Sequence, residues 1–372
     1  IQNAVLLNLP EWYKTGLAKY IAAPWNSDDE DRLRDGILSG RFEKLNKLPQ
    51  EEQIFVGQSI WHYIEEVHGK STVGNVLYLT RINRSVDNGF NFVLGTNLSE
   101  TLKDWYTYYL NRFTNETKIS SLPDENSVVK AKIKKGVDYY QSKLSADGKY
   151  VAYASNDMGR YKIHLLNTET GKSKVLFRGG WRTNTMITDQ SIPLLAFDPT
   201  GKQLAFITDK RSDIFIRFYD IEKKKMEKNP IRKFQKVVSF SFADSKQLVM
   251  SAVQNGQTDV FLYNISSTTT RKITDDYFDD LYPAYISTDG IHGVMFASNR
   301  ENDTLQPQRY ESQVFNKKLD LYFYDLDANQ NVLYRVTSTP FANETYPQNL
   351  NDTTFCFLSD NNGVRNRYIG HF

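Results

Sequence analysis

The chain has 372 residues, 46 of them basic and 44 acidic, for a formal charge of +2. That balance leaves no electrostatic footprint for nucleic acid. Hydrophobic, aromatic and charged shares of 40%, 13% and 24% are globular values that indicate neither wholesale disorder nor a membrane span. The length holds two domains. The single cysteine, Cys356, rules out a disulfide within the chain and reads as a small buried hydrophobe in the strand-like run Thr354-Phe355-Cys356-Phe357-Leu358.

Residues 1–113 read as helical. The chain opens inside an apolar run, Ala4-Val5-Leu6-Leu7, which suggests a processed or incomplete N-terminus and an internal portion of a longer protein. Pro10-Glu11-Trp12 starts a helix that Pro24 ends. Ser27 followed by Asp28-Asp29-Glu30 reads as an N-cap with acidic first-turn residues, which suit the positive end of a helix. Gln50 to His68 keeps helical spacing through Ile54, Phe55, Ile60, Trp61, Ile64 and Val67, and Gly69 stops it. Thr72 to Asn83 is a further helix. Asn97-Leu98-Ser99-Glu100 caps another that carries Leu102, Trp105, Tyr106, Tyr109 and Leu110.

Periodicity is lost over 114–136, which reads as a linker ending in a basic run, Lys130 to Lys135. From 137 to 372 a β-unit repeats. Tyr140 to Asn167 reads as strand, Asp147-Gly148 turn, strand, polar loop, strand. The turn recurs at Pro199-Thr200-Gly201, Asp244-Ser245-Lys246, Asp289-Gly290 and Asn351-Asp352-Thr353, at intervals of roughly 45 to 60 residues. About four strands per unit at that spacing predicts a β-propeller of about five blades, the last incomplete at Phe372. The fold class is therefore a helical domain followed by an all-β propeller. An insertion, Arg300 to Lys318, stretches the fourth unit and is a candidate partner-binding loop. Trp181, Tyr277, Phe278, Tyr282, Tyr310 and Phe341 lie near blade loops. They are candidate partner contacts, with burial between blades as the alternative. Asp275-Asp276-Tyr277-Phe278-Asp279-Asp280 gathers four carboxylates; a solvated loop or partner contact is the expectation, and a cation site the alternative. Seven Asn-x-Ser/Thr triplets, beginning with Asn83-Arg84-Ser85, read as chance matches to a glycan acceptor.

The units resemble the TolB-like β-propeller repeats. The matching features are the Ser145 to Lys149 turn, the Ser/Thr-Asn/Asp pairs Ser155-Asn156, Thr208-Asp209, Ser298-Asn299 and Ser359-Asp360, and the closing strands Tyr219-Asp220-Ile221 and Tyr324-Asp325-Leu326. That resemblance implies a protein-interaction platform of a Gram-negative envelope. Such blades also occur ahead of serine hydrolases, but the chain has no Gly-x-Ser-x-Gly elbow. Leu9 to Tyr20, LPEWYKTGLAKY, resembles the segment that follows His-Glu-x-x-His in gluzincin metallopeptidases. The resemblance places Thr15 where those enzymes carry the glutamate that is the third zinc ligand. A neutral hydroxyl is a poor substitute for that anionic oxygen, and no His-Glu-x-x-His occurs in the chain. His62 and His68 do not share a helix face as paired ligands would.

The expected protein is thus a pseudo-peptidase joined to a propeller, with neither a metal nor a cofactor implied. Its expected partners are other envelope proteins of a larger outer-membrane or periplasmic complex, such as a secretion or motility machine. Association with the membrane would be peripheral or lipid-anchored, through regions outside this sequence. The alternative is a zinc metallopeptidase whose propeller selects substrate.

Overall fold

The computed structural model describes residues 9–23, 25–119, 133–183, 189–288, 290–305, 318–328, 330–339, 342–361 and 363–372. The chain forms two compact units, Ile1–Asp124 and Glu125–Phe372.

The first unit is helical: α1 (Glu11–Ala22), α2 (Ser27–Leu38), α3 (Gln50–His68), α4 (Lys70–Asn83), α5 (Val86–Leu94) and α6 (Leu98–Ile119). Local chemistry sets most of these ends. Asn26, one residue ahead of the expected cap, accepts from the Asp28 and Asp29 amides at 2.9 and 3.1 Å. Gly69 turns the chain at φ 88° between α3 and α4. Asn97 and Glu100 cap α6 reciprocally, each side chain accepting from the other's amide. Helix α5 is an addition to the sequence reading. Its signals are the Ser85 cap, which accepts from Asn88, and Gly95 at φ 75° beyond its end. Helix α6 continues to Ile119, into the stretch read as linker, and Glu116 there pairs with Arg34 at 2.8 Å and Arg112 at 3.2 Å. The core gathers Trp12, Tyr13, Phe55, Trp61, Phe90 and Tyr109. No helix of the described residues is long and apolar enough to cross a membrane.

The second unit is a five-bladed β-propeller of consecutive antiparallel sheets. Blade 1 holds β1 (Asp138–Leu144), β2 (Tyr150–Asp157), β3 (Arg160–Asn167) and β4 (Ser173–Gly179). Blade 2 holds β5 (Leu194–Phe197), β6 (Gln203–Lys210), β7 (Asp213–Asp220) and β8 (Lys225–Ile231). Blade 3 holds β9 (Lys236–Phe242), β10 (Gln247–Gln254), β11 (Gln257–Asn264) and β12 (Thr270–Lys272). Blade 4 holds β13 (Asp280–Thr288), β14 (Ile291–Ser298), β15 (Asp320–Asp325) and β16 (Tyr334–Arg335). Blade 5 holds three strands, β17 (Glu344–Asn351), β18 (Thr354–Ser359) and β19 (Asn366–His371).

The turns behave as their residues dictate. Gly148 takes φ 70° while Asp147 accepts from Ser145 and the Lys149 amide. The third unit lacks that glycine, and Asp244 closes its turn instead by accepting from the Lys246 and Gln247 amides. Apolar faces of adjacent blades stack: Ile216, Phe218, Phe242, Leu248 and Met250 share one cluster, and Val249, Val260, Val294 and Phe296 share another. Stacking buries what one sheet leaves bare. Cys356 is buried in β18.

Candidate functional site

The first strand of every blade, β1, β5, β9, β13 and β17, stands at one edge of its sheet. These five strands and the turns after them line a central channel of about 760 Å³. A smaller cavity of about 120 Å³ adjoins it through the shared residues Lys143, Leu195, Phe240, Ser241, Ala284 and Gln348.

Bulges shape that wall. Pairing slips between Tyr140 and Lys143 in β1, between Leu281 and Ala284 in β13, and between Thr345 and Gln348 in β17. Each slip contains one residue in the left-handed region: Gln141 at φ 55°, Tyr282 at 53° and Tyr346 at 53°. A bulky residue held there costs on the order of 1–3 kcal/mol, and a bulge re-aims its side chain. Here it re-aims two rings at each other. Tyr282 and Tyr346 stack with centroids 3.9 Å apart at 27°, and the Tyr282 amide donates to Ser239 Oγ at 3.1 Å. Burial and the Tyr282 phenol push the Tyr346 hydroxyl above its ordinary range.

Lys143 is the cation of the wall. It is half-buried, and among the described residues it meets no carboxylate and makes no side-chain hydrogen bond. Burial alone pushes its ammonium pKa down.

A second polar cluster sits between blades 3 and 4. Arg300, fully buried, donates to both oxygens of Asp280 at 2.8 and 2.7 Å and lies 3.2 Å from Asp276. Its Nε donates to Ser298 Oγ at 2.9 Å, and Phe278, Phe296 and Tyr322 surround the guanidinium. Asp259 pairs with Lys272 at 2.8 Å. The reading of 275–280 as a solvated loop is corrected for Asp276 and Asp280, which are buried, whereas Asp275 and Asp279 are exposed. Arg300, where the expected partner-binding insertion begins, is core, and residues 306–317 of that insertion fall outside the described residues. Carboxylate oxygens of Asp259, Asp276 and Asp280 lie within 4.8 Å of one another. Arg300 and Lys272 supply the positive charge a divalent ion would bring, so the arrangement serves as an ion-pair network.

Burial pushes Asp276 and Asp259 up to about 6, with Asp280 adding to the shift of both. Their folded pKa exceeds the unfolded value near 4, so between those limits the native state binds more protons. Stability from this cluster therefore rises as pH falls from 7 towards 5. Urea unfolding should show that slope for the wild type relative to the double variant Asp259→Asn/Asp276→Asn. Parallel curves would contradict it.

The sequence candidates do not gather into one face. Tyr282 lines the smaller cavity beside the channel, and Phe278 is buried against Arg300. Tyr277 is half exposed beside it, and Trp181, beyond β4, is 89% exposed. Tyr310 and Phe341 fall outside the described residues. Thr15 is half-buried on α1 and donates to Glu11 at 2.8 Å. His62 stacks on Trp25 at 4.7 Å, and His68 is exposed. Sequence reasoning missed Lys143, Tyr346 and Gln348. The usable signal was a duplicated phrase, Asp280-Leu281-Tyr282-Pro283 and Glu344-Thr345-Tyr346-Pro347, which opens the inner strands of blades 4 and 5.

No protein-family model and no curated protein matches the sequence. Among solved structures, the chain is similar to TolB from Acinetobacter baumannii, at 13% identity and TM-score 0.41, over 63% of this chain and 54% of that one. It is similar to the β-propeller domain of the Trilobed protease from Pyrococcus furiosus, at 11% identity and TM-score 0.40, over 64% of this chain and 82% of that one. A Mycobacterium tuberculosis puromycin-hydrolyzing peptidase aligns at 15% identity and TM-score 0.43, over 60% of this chain and 35% of that one. The match thus spans about half the length of the TolB structure.

Proposed function

We propose that the protein is a non-catalytic interaction scaffold of the bacterial cell envelope, working in a larger outer-membrane or periplasmic assembly such as a secretion or motility machine. One observation carries the interaction part. The inner strands are bent by costly bulges, and what those bulges aim into the smaller cavity beside the channel is a partly exposed pair of tyrosine rings. Rings presented on a rigid frame are the usual anchors of protein interfaces. The envelope location is supported by the TolB-like turn and strand phrases, and the pseudo-peptidase reading by Thr15 at the ligand position.

A photo-cross-linking residue placed at Tyr346 in the full-length protein tests this in cells. Adducts to envelope proteins are expected, and the variant Tyr282→Ser with the same cross-linker should lower their yield about tenfold. Recovery of only free monomer would defeat the scaffold. The competing zinc peptidase reading rests on the Leu9 to Tyr20 segment. Tight stoichiometric zinc uptake in equilibrium dialysis of the full-length protein would favour it.

A further inference from the structure

We propose that the central channel is a binding site for an organic carboxylate, with Lys143 as its counter-ion. Charge accounting within the propeller points there. Lys272, Arg300 and Arg335 each meet a carboxylate. Among the described residues Lys143 meets none, although it lines both the large and the small cavity. The two carboxylates along the channel are already engaged in their own turns. Asp198 accepts from the Thr200 and Gln203 amides at 3.2 and 2.7 Å, and Asp244 from those of Lys246 and Gln247. A half-buried ammonium without an anion is costly to keep. A ligand carboxylate removes that cost.

The neighbouring groups narrow the chemistry. Gln141 and Gln348 line the smaller cavity with Lys143, and neither side chain has a hydrogen-bond partner among the described residues. With Lys143 their amide N–H groups can donate to the oxygens of a carboxylate, while their carbonyl oxygens remain free for a ligand donor. A single cation matches one carboxylate, whereas a phosphate dianion calls for more positive charge or a guanidinium fork. Leu195 and Phe240 line the channel and the adjoining smaller cavity alike, and the stacked Tyr282 and Tyr346 line that smaller cavity, an apolar character that fits a hydrocarbon or aromatic body behind the carboxylate. The channel's volume is in the range of ligand pockets.

Two sources share this chemistry, a free organic acid and the C-terminal carboxylate of a peptide. The second rests on the scaffold reading; the first does not. The test uses the full chain immobilised, with three probes: a random tetrapeptide pool with free C-termini, the same pool amidated, and 3-phenylpropionate. The expected result is retention of at least one free-acid probe about tenfold above the amidated pool, abolished in Lys143→Met and kept in Lys143→Arg. Retention of peptide acids alone assigns the site to chain ends, and retention of 3-phenylpropionate extends it to small acids. An acid pool retained no better than the amidated pool together with no retention of 3-phenylpropionate, or binding unchanged in Lys143→Met, would each overturn the proposal. Removing an unpaired buried charge should leave the melting temperature equal or higher, so a drop in it for Lys143→Met would also count against an unpaired Lys143. Carboxylate binding that persists while envelope cross-links fail would sink the scaffold and leave this site standing.

Discussion

Replacing Arg300 with methionine is expected to destabilise the propeller by about 3–5 kcal/mol at pH 7, the cost of stranding buried charge. The side chain is fully buried, and its guanidinium is the cation that Asp280 and Asp276 face. Methionine fills much of the volume among Phe278, Phe296 and Tyr322, so packing loss is the smaller part. The larger part is electrostatic, and it carries a signature. Without Arg300, which holds the Asp276 pKa down, Asp276 takes up its proton at still higher pH, so the penalty should shrink as pH falls from 7 to 5. Arg300→Lys keeps the charge but loses the Nε bond to Ser298 and the paired contact to Asp280, and should fall between the two. Urea unfolding of the three proteins at both pH values decides this. A methionine variant as stable as wild type at pH 7 would mean the network contributes nothing.

That network shows why part of the molecule was closed to sequence reading. Asp259, Asp276, Asp280 and Arg300 come from separate elements, and acidic runs are usually solvated, so nothing local marked two of those carboxylates as core. The propeller itself was legible because its cues are local. Asp147-Gly148, the residues after it and the recurring spacing each constrain only a few neighbouring residues. The channel failed for a different reason. Strand alternation assigns faces by parity, and a bulge shifts parity by one residue. Lys143 follows such a bulge, so its place in Gln141-Ser142-Lys143 gave no hint that it lines the cavity. Tyr282 was found as a ring near a loop. Its stacking partner Tyr346 lies in another blade, and only the repeated Tyr-Pro connected them.

In the helical unit, Gly57→Ala should have the largest effect, destabilising by about 3 kcal/mol or more. Helices α1 and α3 cross with no room between backbones. A Cβ on Gly57 would lie 2.0 Å from the Trp12 carbonyl oxygen, and one on Gly16 would lie 2.7 Å from the Gly57 carbonyl carbon. Both obstacles are main chain, so relief requires moving a helix. That movement would also pull Trp61 Nε1 from the Tyr13 carbonyl it now reaches at 3.0 Å. Gly74→Ala in α4 is the matched control. Nothing lies within 4 Å of its Cβ, and alanine in a helix interior should stabilise by about 1 kcal/mol. Tryptophan fluorescence reads the contrast well, since Trp12, Trp25, Trp61 and Trp105 lie in this unit and only Trp181 lies in the propeller. Opposite signs for the two alanines would establish the close crossing, and a neutral Gly57→Ala would remove it. The outcome also bears on Thr15. Gly16, its neighbour in the gluzincin-like phrase, has a packing reason to be glycine whether or not a metal was ever held beside it.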